Sequence, residues 1–173
     1  MARRIIFVTG GARSGKSKYA EARAEALGKR PLYFATAEAM DEEMAQRIAA
    51  HRKRRGEHWE TVEEPFELAQ VLLSYRGRAD CALVDCLTLW LSNLLLLGGE
   101  SAAEARVKTL LETLPSLDFH VVLVGNEVGC GVVPENALAR RFRDLAGWTH
   151  QRVAAAADEV VLMVAGTPLT VKR

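Results

Sequence analysis

Cysteine is scarce: Cys81, Cys86 and Cys130 are the three in the chain, and no two form a C-x-x-C pair. Nothing here resembles a disulfide framework, and a chain so poor in cysteine is at home in a reducing compartment. Neither sign of charge dominates, with Lys plus Arg at 23 against Asp plus Glu at 22 and a net charge of +1. A polyanion-coating protein would show its basic excess in those totals, so no nucleic-acid partner is expected. Long apolar runs are missing too. The stretch after Arg3-Arg4 extends only over Ile5–Val8, too short for a signal peptide. The most hydrophobic segment, Leu87–Leu97, is broken by Thr88, Ser92 and Asn93 and falls well short of a membrane span. There is no repeat, no low-complexity tract and no linker rich in Pro, Gly or Ser. What remains is 173 residues, 49% apolar and 26% charged. That is the size of one domain, able to bury a core without staples, and disorder is excluded. The expectation is a soluble cytoplasmic protein.

Five short apolar runs rich in β-branched residues punctuate the chain: Ile5–Thr9, Leu32–Ala35, Cys81–Asp85, Val121–Gly125 and Val160–Val164. Each is nearly continuous rather than alternating, as strands buried on both faces are. Segments of helical period lie between them: Ser17–Leu27, Asp41–Arg54, Pro65–Leu73, Ala102–Leu114 and Pro134–Ala156. Two of these start with Pro, which suits a first helical position. Strands alternating with helices imply a parallel sheet with right-handed crossovers.

The strongest signal follows the first run. Gly10-Gly11-Ala12-Arg13-Ser14-Gly15-Lys16-Ser17 satisfies G-x-x-x-x-G-K-S without a mismatch. Glycines let such a loop wrap backbone N–H groups around a phosphate, and the helix N-terminus beyond adds its positive end. Lys16 can reach the β- and γ-phosphates, and the Ser17 hydroxyl can ligate Mg²⁺. From background residue frequencies a chance match in a chain this long is on the order of 1%. Cys81–Asp85 is an apolar strand ending in a carboxylate, the form of a Walker B segment, which makes Asp85 the second candidate metal ligand. Glu127 follows another strand and would share the same sheet edge. It can be a general base, a group behind the metal ligands or a turn residue, and the sequence leaves these open. The expected fold is α/β: a P-loop NTPase-like (RecA-like), mostly parallel sheet flanked by helices, one domain over residues 1–173.

His51 is harder to read. Met44, Ile48 and His51 share a helical face, and a histidine so placed usually packs. In the same segment Asp41-Glu42-Glu43 opens and Arg52-Lys53-Arg54-Arg55 closes, matching both ends of a helix dipole. No aromatics interleave the basic run, against nucleic-acid binding. The reading with chemistry in it is a nucleophilic imidazole flanked by cations that hold a polyphosphate. The residues alone do not choose between these.

Several motifs in order resemble the bifunctional adenosylcobinamide kinase/adenosylcobinamide-phosphate guanylyltransferase family of cobalamin biosynthesis. They are Val8–Ser17, Ala35-Thr36-Ala37, Arg47-Ile48 with His51, His58-Trp59, and Thr61-Val62-Glu63. Asn126-Glu127-Val128-Gly129, Val133-Pro134-Glu135-Asn136 and the stretch Ala154–Val160 complete them. The resemblance implies that His51 forms a covalent GMP adduct. It also implies that Gly10 to Ser17, Ala35 to Ala37, Arg52 to Arg55, Glu63 and Asp85 bind nucleotide. Some relatives carry a second histidine just before the reactive one; here that position is Ala50, leaving one imidazole. His58, His120 and His150 are read as structural or solvated. Substrates would be ATP or GTP, adenosylcobinamide and its phosphate, with Mg²⁺ as cofactor, and the assembly a homo-oligomer, a trimer on the family pattern. The alternatives are a plain small-molecule or nucleotide kinase without a covalent intermediate, and a nucleotide-dependent regulatory module.

One geometric difficulty accompanies this reading. A crossover helix starting at Asp41 begins at the nucleotide edge and leads away from it. Ten residues at about 1.5 Å each place His51 roughly 15 Å from the helix start. The helix must then project off the sheet or swing inward when GTP binds. The Leu87–Leu97 segment could line a corrinoid pocket, form core or make a subunit contact.

Overall fold

Among the described residues a sheet of seven strands, ordered β3-β2-β4-β5-β1-β6-β7, brings distant parts of the chain to one edge. The structure is a computed structural model that describes residues 3–37, 42, 46, 56 and 58–173. Its strands are β1 (Ile5–Gly10), β2 (Leu32–Ala35), β3 (Glu60–Glu63), β4 (Cys81–Asp85), β5 (His120–Asn126), β6 (Glu159–Val164) and β7 (Thr167–Lys172). All pair in parallel except β7, which runs antiparallel to β6. The described helices are α1 (Lys16–Leu27), α2 (Leu68–Ser74), α3 (Leu87–Thr113) and α4 (Ala137–Ala156), and α3 leads into a 3₁₀ turn, Leu114–Ser116.

Successive side chains of a strand point to opposite faces, and here both faces are covered. Ile5 and Phe7 of β1 pack with Trp90, Leu110 and Leu145 on one side, while Ile6 and Val8 pack with Ala20 and Ala24 of α1 on the other. Trp90 is the largest fully buried side chain, and its indole N–H donates to the Phe66 carbonyl at 2.9 Å. Among the described residues no helix is long and apolar enough to cross a membrane.

The five strands expected from sequence are present within a residue or so at their ends, and two more join them. Strand β3 is a four-residue edge strand reading Glu-Thr-Val-Glu, half-exposed and without an apolar run. Every residue of β7 is exposed, and Pro168 sits in it because an edge strand need not donate every N–H. The helix expected from Pro65 begins at Leu68, because the Glu64 carboxylate holds the Phe66 and Glu67 amides in a turn at 2.9 and 2.7 Å. The last helix begins at Ala137 rather than Pro134, because the Asn136 side chain caps it by accepting from Ala139 N–H. Leu87–Leu97 and the Ala102 segment form one helix kinked at Gly99, whose φ of 75° only glycine adopts readily. Glu42 and Gln46 are helical and exposed. His51, Arg52, Lys53, Arg54 and Arg55 lie outside the described residues.

Candidate active site

The loop between β1 and α1 is shaped by its neighbours as much as by its own glycines. Gly10 has φ +155°, and a Cβ there would come within 2.6 Å of the Met163 carbonyl oxygen of β6. Gly15, just before the helix, is left-handed at φ +91°. Inside the turn the Ser14 hydroxyl is buried with no hydrogen-bond partner, an orphan that a phosphate oxygen would satisfy. Lys16 is 9% exposed and its Nζ donates to the Gly11 carbonyl at 3.0 Å. Burial pushes its ammonium below the ordinary lysine value, and the Asp85 carboxylate opposes that shift. A buried lysine resting on a loop carbonyl is poised to exchange that weak partner for an anion. The Ser17 hydroxyl stands in the first turn of α1, half-buried.

Strand pairing decides which other residues reach this loop. Gly10 is in register with Asn126 on β5, and Val124 of β5 pairs with Asp85 on β4. Asp85 is thus two strands from the loop, roughly 10 Å at the usual strand spacing, within the span of a metal-bound triphosphate. Its Oδ2 accepts from the Tyr33 hydroxyl at 3.1 Å, which fixes the carboxylate. A serine hydroxyl and one carboxylate are hard oxygen donors, a set that fits Mg²⁺, which takes its remaining ligands from phosphates and water. Among the described residues no three His, Cys, Asp or Glu side chains gather as a metal cage, and Mg²⁺ requires none.

Behind Asp85 lies a tightly bonded layer. The buried Thr36 hydroxyl donates to the Cys86 carbonyl and accepts from the Cys86 N–H, both at 2.8 Å. Asn93 Nδ2 donates to the Thr36 carbonyl at 2.8 Å, and Thr88 Oγ1 accepts from Asn126 N–H at 2.7 Å. Burial raises the Cys86 thiol to about 12, so it is a neutral packing group. Thr36 therefore serves this edge through its bonds to Cys86. Asn93 and Thr88 were not singled out from sequence for this role; their polar interruptions of Leu87–Leu97 were the signal.

Glu127 follows β5 directly, and its N–H donates to the Gly10 carbonyl at 2.9 Å. Its carboxylate turns back on its own loop, accepting from the Gly129 and Cys130 amides. Beneath, His150 of α4 packs 5.2 Å from the Phe7 ring with its Nε2 buried and unpartnered. Burial holds its pKa below the ordinary histidine value.

The remaining expected site residues spread along the same edge. Ala35 pairs with both Asp85 and Glu63, with Ala37 just beyond, so β2 lies three strands and β3 four from the loop. Those are roughly 14 and 19 Å at the same spacing. Gly10, Gly11, Ala12, Arg13, Ser14, Gly15, Lys16, Ser17 and Asp85 thus form one cluster, and Glu63, exposed on the edge strand, stands apart from it. Sequence gave no hint of the turn between β6 and β7. Gly166 N–H donates to the Ser14 carbonyl at 3.0 Å, so that turn buttresses the loop.

The architecture is shared widely. A KaiC-like protein from Pyrococcus horikoshii OT3 superposes with a TM-score of 0.51 at 15% identity, covering 92% of this chain and 70% of that one. The RadB recombinase does so with a TM-score of 0.54 at 15% identity, covering 92% and 73%. At such identities the likeness is one of fold: a P-loop NTPase-type α/β sheet. Sequence relatives are far more similar. A Pseudomonas aeruginosa protein named bifunctional adenosylcobalamin biosynthesis protein CobP is 49% identical over 95% of both chains. A Salmonella typhimurium protein named bifunctional adenosylcobalamin biosynthesis protein CobU is 44% identical over 97% of this chain and 99% of that one. The family described as cobinamide kinase / cobinamide phosphate guanyltransferase matches residues 6–171. With almost its whole length matched, the chain belongs to the cobinamide kinase / cobinamide phosphate guanyltransferase family.

Proposed function

We propose that this protein phosphorylates adenosylcobinamide with ATP or GTP and then transfers GMP from GTP to the product, giving adenosylcobinamide-GDP and pyrophosphate. The observation that carries the kinase half is the buried Lys16 beside the loop, with Asp85 two strands away on the same edge. In that step the substrate hydroxyl oxygen attacks the γ-phosphorus, the bond to the β–γ bridging oxygen breaks, and the nucleoside diphosphate leaves. The hydroxyl proton passes to a base or to water. Catalysis of this kind is positioning and charge neutralisation, which Lys16 and the loop amides supply. Ser17 and Asp85 would hold Mg²⁺, which when bound neutralises charge on the β- and γ-phosphates.

The second half rests on family membership and on His51. Its neutral imidazole attacks the α-phosphorus of GTP, pyrophosphate leaves, and GMP is carried as a phosphoramidate. An oxygen of the cobinamide phosphate then attacks that phosphorus, forming the P–O–P bond and releasing the imidazole. A covalent intermediate divides one hard displacement into two easier ones. Arg52, Lys53, Arg54 and Arg55 would hold phosphates near the imidazole, with Ala35 to Ala37 and Glu63 at the far end of the edge contributing to the guanine nucleotide site. The working form is a homo-oligomer, a trimer on the family pattern, in the cytoplasm.

Incubation with α-labelled GTP followed by a denaturing gel tests the reading. The label should survive denaturation, be released by acid and be absent in His51→Ala. No label under conditions where phosphate is transferred to adenosylcobinamide would leave a plain kinase instead.

A further inference from the structure

The strand that separates the loop from Asp85 ends in a polar side chain. In the order β4-β5-β1, β5 lies between the two, and its last residue, Asn126, is in register with Gly10. Asp85 pairs with Val124, so Asn126 stands two residues further out along β5, roughly 7 Å at the usual rise per residue. Strand alternation fixes the face it takes. Val122 and Val124 of β5 pack with Ile6 and Val8 of β1 and with Ala20 of α1, and Asn126 follows them on that face. Asp85 follows Leu83 of β4 onto the same face, and Lys16 opens α1 there.

The side-chain contacts agree with that placement. Asn126 Nδ2 donates to the Cys86 sulfur at 3.8 Å, and Cys86 adjoins Asp85. The Lys16 ammonium is close enough to that sulfur and to the Asp85 carboxylate for each to act on its charge. A neutral thiol is a weak acceptor, so the amide keeps a donor for a better one. The Asn126 backbone is held independently, its N–H donating to Thr88 Oγ1 at 2.7 Å. On β1, level with Asn126, the unpartnered Ser14 hydroxyl stands 2.7 Å from where a Gly10 Cβ would be. We propose that Asn126 is a γ-phosphate ligand, its side-chain amide donating to the terminal phosphate of a nucleotide held between Lys16 and Asp85. The proposal rests on the reading of Gly10 to Ser17 as a triphosphate site, and it names the residue that tells a triphosphate from a diphosphate there. Loop amides surround the inner phosphates, which both nucleotides possess. Asn126, one strand over toward Asp85, meets the group beyond them. An amide takes no proton, so its part in transfer is to orient the phosphoryl group and share the charge on its oxygens.

Isothermal titration of the full-length protein with Mg²⁺ and either ADP or the non-transferable β,γ-imido analogue of ATP tests it. Binding that is lost in Lys16→Ala defines the loop site. Within that component, Asn126→Ala should weaken the analogue about tenfold or more, the effect of one hydrogen bond to a charged group, while ADP stays within about twofold. Asn126→Asp keeps the shape and the backbone bond to Thr88 but turns a carboxylate on the phosphate, so it should weaken the analogue at least as much. Either variant, checked as folded by its thermal unfolding, carries the test. Equal losses for analogue and ADP would reduce Asn126 to shaping the loop, and an analogue bound as tightly as by wild type would remove it from the site. Both results overturn the proposal. If wild type binds neither ligand, or Lys16→Ala binds both as tightly as before, the triphosphate reading itself fails, whatever Asn126 does.

Discussion

Replacing Thr36 with valine isolates the layer that holds Asp85 in place. Valine has nearly the shape of threonine, so packing around this fully buried position is kept. What disappears is a hydroxyl that bonds both the carbonyl and the N–H of Cys86 at 2.8 Å. The Cys86 N–H is then left without its partner, while the Cys86 carbonyl keeps the Trp90 N–H at 3.2 Å. One unsatisfied buried donor costs about 1–3 kcal/mol. For a domain of this size that lowers Tm by about 3–9 °C at roughly 3 °C per kcal/mol. Thr36→Ser keeps both bonds and removes one methyl group, at a cost of about 1 kcal/mol. Thermal unfolding followed by circular dichroism measures both variants. Because Cys86 follows Asp85 directly, Thr36→Val should also raise the Mg²⁺ concentration needed for half-maximal kinase activity. A Tm for Thr36→Val within about 2 °C of wild type would refute the reasoning. So would a serine variant that falls as far as the valine one.

Lys16→Ala should lower kcat for phosphate transfer by about 10²–10³-fold, measured with labelled ATP, while Tm holds or rises, since a buried ammonium is removed. Burial keeps His150 neutral in the fold, with the Glu127 carboxylate opposing that shift, so the unfolded chain takes up a proton first on acidification. Its contribution to stability is therefore full above about pH 6.5 and is lost as pH falls below that value. Urea midpoints between pH 7 and 5 should fall less steeply in His150→Asn; His120, also pushed down by burial, leaves a residual slope. Trp90→Ala removes the largest fully buried side chain and its bond to Phe66, and should cost about 3–5 kcal/mol in urea unfolding.

The Gly10–Ser17 loop and its flanking strand and helix were legible because each is local. Glycines permit the turn, a lysine and a serine follow at fixed spacing, and an apolar run precedes them, all within one short segment. The buried strands were legible for a similar reason, since a strand covered on both faces must be apolar throughout. Edge strands β3 and β7 escaped because exposure removes that constraint: Glu60-Thr61-Val62-Glu63 has no apolar run, and Pro168 argues against a strand anywhere but an edge. Asp85 was recognisable as a strand-end carboxylate, yet what holds it there was not, because Thr36 and Asn93 are 50 and 57 residues distant from their partners. The same is true of Gly166 against Ser14, a contact made only because β6 pairs with β1.

By itself, then, the sequence determined which groups this protein has to work with: a glycine-rich G-x-x-x-x-G-K-S loop, a lysine, two hard oxygen donors and a histidine beside a basic run, with a family pattern to connect them. Only the tertiary structure decided how those groups are disposed along the sheet. Strand order set Asp85 two strands from the loop and Glu63 four, and it put the β6–β7 turn on the opposite side. The physical reason is that residue types and local spacing are written along the chain. Strand order instead follows from how every apolar face finds cover at once, a property of the whole sheet.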